Sequence, residues 1–533
     1  MKLKKLHLAL LAFATIVCNV ASAQLFIDQA TFTIQSGATV TVQGDVTSNA
    51  DIQGTGKLIL KGTANQNVNM GGFSIPNLEV DNTSNVTLTG AASISSSLLF
   101  TNGKIILGDN NFTLASAATV AGQGTSKFIE TNGAGQLLKL ITANVTAAEL
   151  PVGAGTSYRP AFVTTNGTYS SASVGVKVLT LADPNKPSMI SDFLTAHWPV
   201  TKTGITGTVT LTGQYIDAGD VSGTEANLRG YFYNGTDWSS TGEAHDVALN
   251  RVTAPIATAT GELYGMDKFV LAKAKVFLQG AYNTSTGVMT DALRTPSNLI
   301  PLSDPYRVAP YNFTQVNNAI TETAPASVFA DQASANNNIV DWVFIELRSS
   351  QVSPGNTVLQ TRSALLKRDG NIVDVDGSSP VTFNNTANGN YTIAIRHRNH
   401  LGISADPSTN LLATTEQKST APLLDLTIAT DAQIFGTSAA YAISTDNKNV
   451  MWSGNANFNT NLRWNPPSSD KDYILATVLS GVSSTVLNNV YSQGDINFDR
   501  RVRWNPPLSD KDLILSSSLS GVSSTVRVQA LPN

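Results

Sequence analysis

Between Gln24 and about Leu150 the chain is a succession of short β runs that leave no room for helices between them. Thr31-Phe32-Thr33-Ile34, Thr39-Val40-Thr41-Val42, Lys57-Leu58-Ile59-Leu60, Asn85-Val86-Thr87-Leu88 and Lys104-Ile105-Ile106-Leu107 are examples, each bounded by Gly, Asn or Asp. Most alternate an apolar residue with Thr or Ser, the period of a strand buried on one face. A strand of that kind needs a neighbour on its apolar side. A stack of rungs, each lying on the one before, supplies it. The irregular spacing predicts a small parallel β-solenoid over 24–150, with a β-sandwich as the alternative.

The rest of the chain reads as further β modules. From Leu150-Pro151-Val152-Gly153 to about Ala274 the strands lengthen and aromatics appear, among them Tyr158, Phe162, His197-Trp198, Tyr231-Phe232-Tyr233 and Trp238. This predicts a β-sandwich over 151–274 with aromatics filling its interior. A second sandwich is expected over 275–410, from the runs 275–282, 340–348 and 391–398 and the turn Asn388-Gly389-Asn390. Residues 411–450 read as a linker or strand segment. The fold class is mainly β, and helix is expected only in the tail, 451–533.

That tail repeats itself. RWNPPSSDKDYIL at 463–475 returns as RWNPPLSDKDLIL at 503–515, and SGVSSTV at 480–486 returns unchanged at 520–526. Each copy is a loop followed by a short helix with an acid-rich first turn. Neither copy can bury its apolar face alone, so the two are expected to pack on each other.

The N-terminus points to export. Lys2, Lys4 and Lys5 precede an apolar run from Leu8 to Val17, and Ala21-Ser22-Ala23 supplies small residues for cleavage before Gln24. Residues 1–23 are therefore expected to be a signal peptide. Val17 is not the small residue that normally precedes a lipidated Cys18. Cleavage after Ala23 removes the chain's one cysteine, excluding disulfide, thiolate and iron–sulfur chemistry. It also takes the formal charge from −4 to −7, because three lysines leave with the signal. An acidic chain with 14% charged residues lacks the basic clusters that nucleic acid requires. No later segment is apolar enough to span a membrane. The expected location is secreted or extracellular, associated with the cell surface.

Gly494-Asp495-Ile496-Asn497-Phe498-Asp499 carries the sharpest chemical signal. Oxygen side chains at alternate positions, D-x-N-x-D, open the loop of an EF-hand-type calcium site. Asp495, Asn497 and Asp499 are expected to provide three ligands, the carbonyl of Arg501 a fourth, and Asp510 the closing carboxylate. One Ca2+ is therefore expected here. The turn position that usually needs glycine holds Arg500, and Asp510 lies further on than the usual closing acid. On the competing reading the loop is an Asx-rich turn and Asp510 an ordinary helix cap. The first copy has Asn455, Asn457 and Asn459 at the matching positions, without the charge that holds a divalent cation.

Other polar clusters read as structural. Arg396-His397-Arg398-Asn399-His400 alternates its side chains across a strand, so His397 and His400 need not converge. No G-x-S-x-G, H-E-x-x-H, phosphate loop or cysteine nucleophile is present. No catalytic residue is assigned, and the chain is expected not to be an enzyme. The enzymatic alternative is a polysaccharide-active solenoid, or its carbohydrate-binding accessory.

Together these strings resemble a known set of proteins. SQGDINFDRRVRWNPPLSDKDLIL at 492–515, with its weaker copy, resembles the dockerin-like modules that end large surface proteins of Bacteroidota. VFLQGAYNTSTGVMTDALR at 276–294, VDWVFIELR at 340–348, LLKRDGNIVDVDG at 365–377 and IRHRNHLG at 395–402 resemble the domain before that tail. The N-terminal half is similar in style to hemagglutinin- or adhesin-like solenoids. The resemblance implies a non-catalytic surface adhesin or scaffold that meets a surface glycan or protein partner. For the tail it implies calcium binding and a cohesin-like partner.

Overall fold

The computed structural model describes residues 24–240, 245–351 and 355–532. The signal-peptide expectation, on residues 1–23, lies outside the described residues. The chain is mainly β, with 44% strand and 8% helix, and no helix among the described residues is long and apolar enough to cross a membrane. The described residues form two compact units, one within 24–186, 192–235 and 240–266, the other within 187–191, 236–239 and 267–532.

The first unit opens as a β-solenoid of about six turns. One parallel sheet stacks Leu25–Ile27, Val46–Ser48, Gln66–Asn69, Val86–Leu88, Ile105–Ile106, Ile129–Glu130 and Val152–Ala154. A second stacks Thr39–Val42, Lys57–Gly62, Ser74–Asn82 and Ala92–Asn102. Register places Val40, Leu58, Leu78, Leu98 and Val120 in one row, and Val42, Leu60, Val80 and Phe100 in the next. The first row advances by 18, 20, 20 and then 22 residues per rung. The side chains of a row align although the corners differ in length, which is why no fixed repeat is visible in the sequence.

Polar corners are closed inside the stack. Buried Gln66 donates to the carbonyls of Val42 (3.0 Å) and Gly44 (2.8 Å) and accepts from Asn82 Nδ2 (2.8 Å). Leu98 and Phe100 are buried, whereas Leu99, between them, faces outward and is half-buried. Phe100→Ala is expected to cost about 3–5 kcal/mol, and Leu99→Ala within about 0.5 kcal/mol. Denaturant unfolding of the two variants measures the difference.

The parallel stack ends where Leu137–Ile141 meets the long strand Ala161–Val176 in antiparallel sense. That strand pairs along its length with Trp198–Gln214, which continues to Arg251–Pro255 and Thr260–Asp267. Gly167 faces Gly207 across the first pair, and a Cβ on Gly167 would lie 2.1 Å from the Thr206 carbonyl oxygen. His197 and Trp198 are both buried, and the Trp198 indole donates to the Arg159 carbonyl at 3.1 Å. Both rings are thus part of the interior, as the sequence predicts for the aromatics of this segment.

The second unit is built on a nine-stranded, predominantly antiparallel sheet. Its strand Ile339–Arg348 is buried at every position, as expected of a strand covered on both faces. Several charged residues inside this unit are paired. Fully buried Arg362 bonds Glu322 (2.9 Å) and Asp374 (2.8 Å).

The tail contributes to the same core. Leu462, Ile474, Ile496, Phe498, Val502 and Ile514 belong to one apolar cluster with Val270, Trp342, Phe344 and Ile395. Its two copies exchange strands reciprocally. Asn461–Arg463 pairs with Val526–Val528, and Val486–Asn488 pairs with Arg501–Arg503. Asn465 donates to the Ser523 carbonyl and Asn505 to that of Ser483, both at 3.0 Å. Each helix is one turn, Asp470–Tyr473 or Asp510–Leu513, widening into a π turn.

Candidate metal centres

The loop of the second tail copy is organised by its carboxylates. Asp495, fully buried, accepts from the backbone N–H of Asp499 (3.1 Å) and Arg500 (2.9 Å). Asn497 Oδ1 also accepts from Asp499 N–H, at 3.2 Å, and Asp499 Oδ1 from Arg501 N–H, at 3.0 Å. Asp510 reaches back from the helix start and accepts from the N–H of Ile496 (2.9 Å) and Arg503 (2.8 Å). It is not the helix cap: Ser509 occupies that position and accepts from Asp512 N–H. The loop and its distant acid therefore meet, across the bulge formed by Trp504-Asn505-Pro506-Pro507.

Arg500 takes the left-handed conformation, φ +73°, at the position where glycine is usual. An L residue loses roughly 1–2 kcal/mol there. Its guanidinium offsets this by donating to the Thr295 carbonyl and to Ser297 Oγ (3.2 Å). Arg501 starts the strand Arg501–Arg503, opposite Asn488.

Burial dominates the electrostatics of this loop. It pushes Asp495 up to about 7; the Arg398 charge opposes the rise and Asp499 adds to it. Burial also drives Asp510 well above the carboxylate range, and Asp495 and Asp499 add to that shift. A cation among these oxygens would reverse both shifts. In the first copy Asp470 takes the place of Asp510 and accepts from Asn457 N–H (3.4 Å) and Arg463 N–H (2.8 Å). Asn455, Asn457 and Asn459 complete that turn with neutral side chains.

The loop is tied to a buried polar network that the sequence reading separated. His397 and His400 converge, with their Nδ1 atoms 3.1 Å apart. The strands Gly389–His397 and His400–Ser404 form a tight antiparallel pair, so a turn, not strand alternation, sets their orientation. Asp341 Oδ2 accepts from Arg398 Nε (2.7 Å) and faces His397 Nε2 at 3.1 Å, while Oδ1 accepts from Trp342 N–H (2.8 Å) and the Tyr491 hydroxyl (2.7 Å). Arg398 also donates to the Ser492 carbonyl, and Asn399 to that of Asp495 at 2.8 Å.

A different cluster lies in the first unit. Among the described residues, Asp183, His197 and Glu262 are the one group of three such side chains whose ligand atoms all lie within 4.8 Å of one another. The tail acids are not gathered that closely. Separations of 14 and 65 residues, with no repeat or spacing motif around them, left this cluster unreadable in the sequence.

No family model, curated protein or solved structure matches the chain.

Proposed function

We propose that this protein is an exported, non-catalytic cell-surface protein that holds an extended surface glycan on its solenoid. The observation that carries the reading is the outward face of the sheet running from Thr39–Val42 to Ala92–Asn102. Thr41, Asn77, Ser97 and Thr101 lie on it, and its acids are matched to lysines on the neighbouring rung. Lys57 meets Glu79 at 2.9 Å and Lys61 meets Asp81 at 2.8 Å. These hydrogen bonds hold both carboxyls below their ordinary values. A general acid for glycoside cleavage needs the opposite shift. One outward row is Thr41, Ile59, Glu79 and Leu99, and Asn77 lies beside Ser97 in the next. Mixed polar and apolar groups at the strand spacing of about 4.8 Å instead suit repeated contacts along a polymer.

The reading extends to a dockerin-like tail that takes one Ca2+ through Asp495, Asn497, Asp499, the Arg501 carbonyl and Asp510. Buried Asp495 and Asp510, with Asp499 beside them, fit a hard divalent cation. The ion would neutralise the loop and hold it against the helix start. A cohesin-like protein is the partner this reading assigns to the tail.

The test is a panel of surface and matrix polysaccharides, scored for both retention and product release. Retention without release is expected, weakened at least about ten-fold, or 1.4 kcal/mol, by Asn77→Arg or Thr101→Arg on the flat face. Product release abolished by Glu79→Gln would replace this reading with the polysaccharide-active one.

A further inference from the structure

The cluster in the first unit has the chemistry of a second, unrelated metal site. His197 is held in place by two backbone hydrogen bonds with Leu179, each 3.0 Å. Its Nδ1 lies 3.0 Å from the Leu181 carbonyl oxygen, so the ring donates there. A neutral imidazole that donates from Nδ1 presents a lone pair at Nε2. That lone pair faces Glu262 Oε2 at 3.9 Å, an oxygen with no hydrogen-bond partner. Asp183 is 2% exposed, and its Oδ1 accepts from Asn185 N–H at 2.8 Å. Its Oδ2 is buried without a partner. Three acceptors thus converge with no donor between them; Asp183 and His197 are buried, and Glu262, with its side chain 28% exposed, forms the side of the cluster open to solvent.

We propose that Asp183, His197 and Glu262 bind one divalent transition-metal ion, of which Zn2+ is the representative. Imidazole nitrogen selects the transition series over Ca2+ and Mg2+, and two carboxylates with one histidine leave a fourth position for water. Tetrahedral zinc with bonds near 2.05 Å sets its ligand atoms about 3.4 Å apart. The His197–Glu262 gap therefore needs to close by only about half an ångström. The Leu181 carbonyl is the outer partner that orients a metal-bound histidine. The Lys177 charge acts on both His197 and Glu262 from nearby, and Lys177 is not among the proposed ligands. Without a metal, burial and then the neighbouring Asp183 push Glu262 up to about 8.

The experiment uses the chain from Gln24 onward, stripped with chelator and titrated with Zn2+, Co2+ and Ca2+ by calorimetry and optical absorption. Expected is saturable uptake of one Zn2+ per chain at this site and a Co2+ spectrum of low coordination number. Both should be lost in Glu262→Gln and in Asp183→Asn, each checked for folding by circular dichroism. Both should persist in Asp495→Ala, which separates this site from the tail. Zn2+ uptake unchanged in folded Glu262→Gln, or no uptake that survives Asp495→Ala, overturns the proposal. In the second case a shared proton is the cluster's only occupant.

Discussion

Asp341→Ala is expected to cost the second unit about 3–5 kcal/mol, the loss typical of breaking a buried charge network by removing one partner. The carboxylate is fully buried and serves Arg398, His397, Trp342 N–H and Tyr491 at once. Without it the Arg398 guanidinium, also fully buried, keeps its charge with no counter-ion. Asp341→Asn should be almost as costly, because shape is retained but charge is not. Adding Arg398→Met to Asp341→Asn should restore part of the loss, since the orphaned charge leaves with its side chain. Burial alone would raise the Asp341 carboxyl, but Arg398 and then His397 outweigh it and hold it at about 2. A carboxyl lowered by folding contributes stability above its unfolded value near 3.9. That contribution disappears as pH falls from about 4 through 2. Hydrogen exchange over 339–348 and 491–499 measures the effect, because the network joins these two segments. Exchange unchanged in Asp341→Ala would mean that the network carries no stability.

The second large effect is an opposite response of the tail to pH and to calcium. Folding raises Asp495 and Asp470 to about 7, so the folded tail holds protons that the unfolded chain releases from about pH 4 upward. Without a cation, stability must therefore fall as pH rises from about 4 through 7, and Asp510, also raised by burial, adds to the fall. Moving one carboxyl from 3.8 to about 7 corresponds to roughly 4 kcal/mol across that window. Ca2+ competes for the same oxygens, so its addition should cancel the part of the slope due to Asp495 and Asp510 and leave that of Asp470. At a hundred times its Kd the ion adds roughly 2.7 kcal/mol. Asp495→Asn should abolish the calcium response and flatten the metal-free slope only in part. Exchange protection over 494–515 in the full chain, at pH 5 and pH 8 with calcium or chelator, gives the four readings. Protection that rises with pH in chelator, or that ignores calcium, would leave the D-x-N-x-D sequence as a turn and nothing more.

Some of this architecture was readable because the physics is local. Alternation in Lys57-Leu58-Ile59-Leu60 marks a half-buried strand wherever it occurs, and a dense series of such strands called for the solenoid that formed. The order loop, acidic turn, apolar run marked a helix start for the same reason, although the cap proved to be Ser509 and not Asp510. Asp495 and Asp499 could be paired by spacing alone, since four residues of chain bring them together in any tight turn.

The sequence by itself determined the mainly β class, the stacked rungs and the duplicated tail, all set by interactions between near neighbours in the chain. Only the tertiary structure decided which faces are covered and which charges are left to meet. Ile339–Arg348 is buried at all ten positions, although its charged residues Asp341, Glu346 and Arg348 would suit an open face. Glu346 and Arg348 pair with each other, and the partner of Asp341, Arg398, comes from the turn between Gly389–His397 and His400–Ser404. His397 meets His400 and Asp341 because a strand pair and a core fold around them. Asp183, His197 and Glu262 come together across 79 residues, through the pairing of Trp198–Gln214 with Thr260–Asp267 and the bridge of His197 to Leu179. Such contacts depend on where the backbone returns after long excursions, and no property of a single segment encodes that.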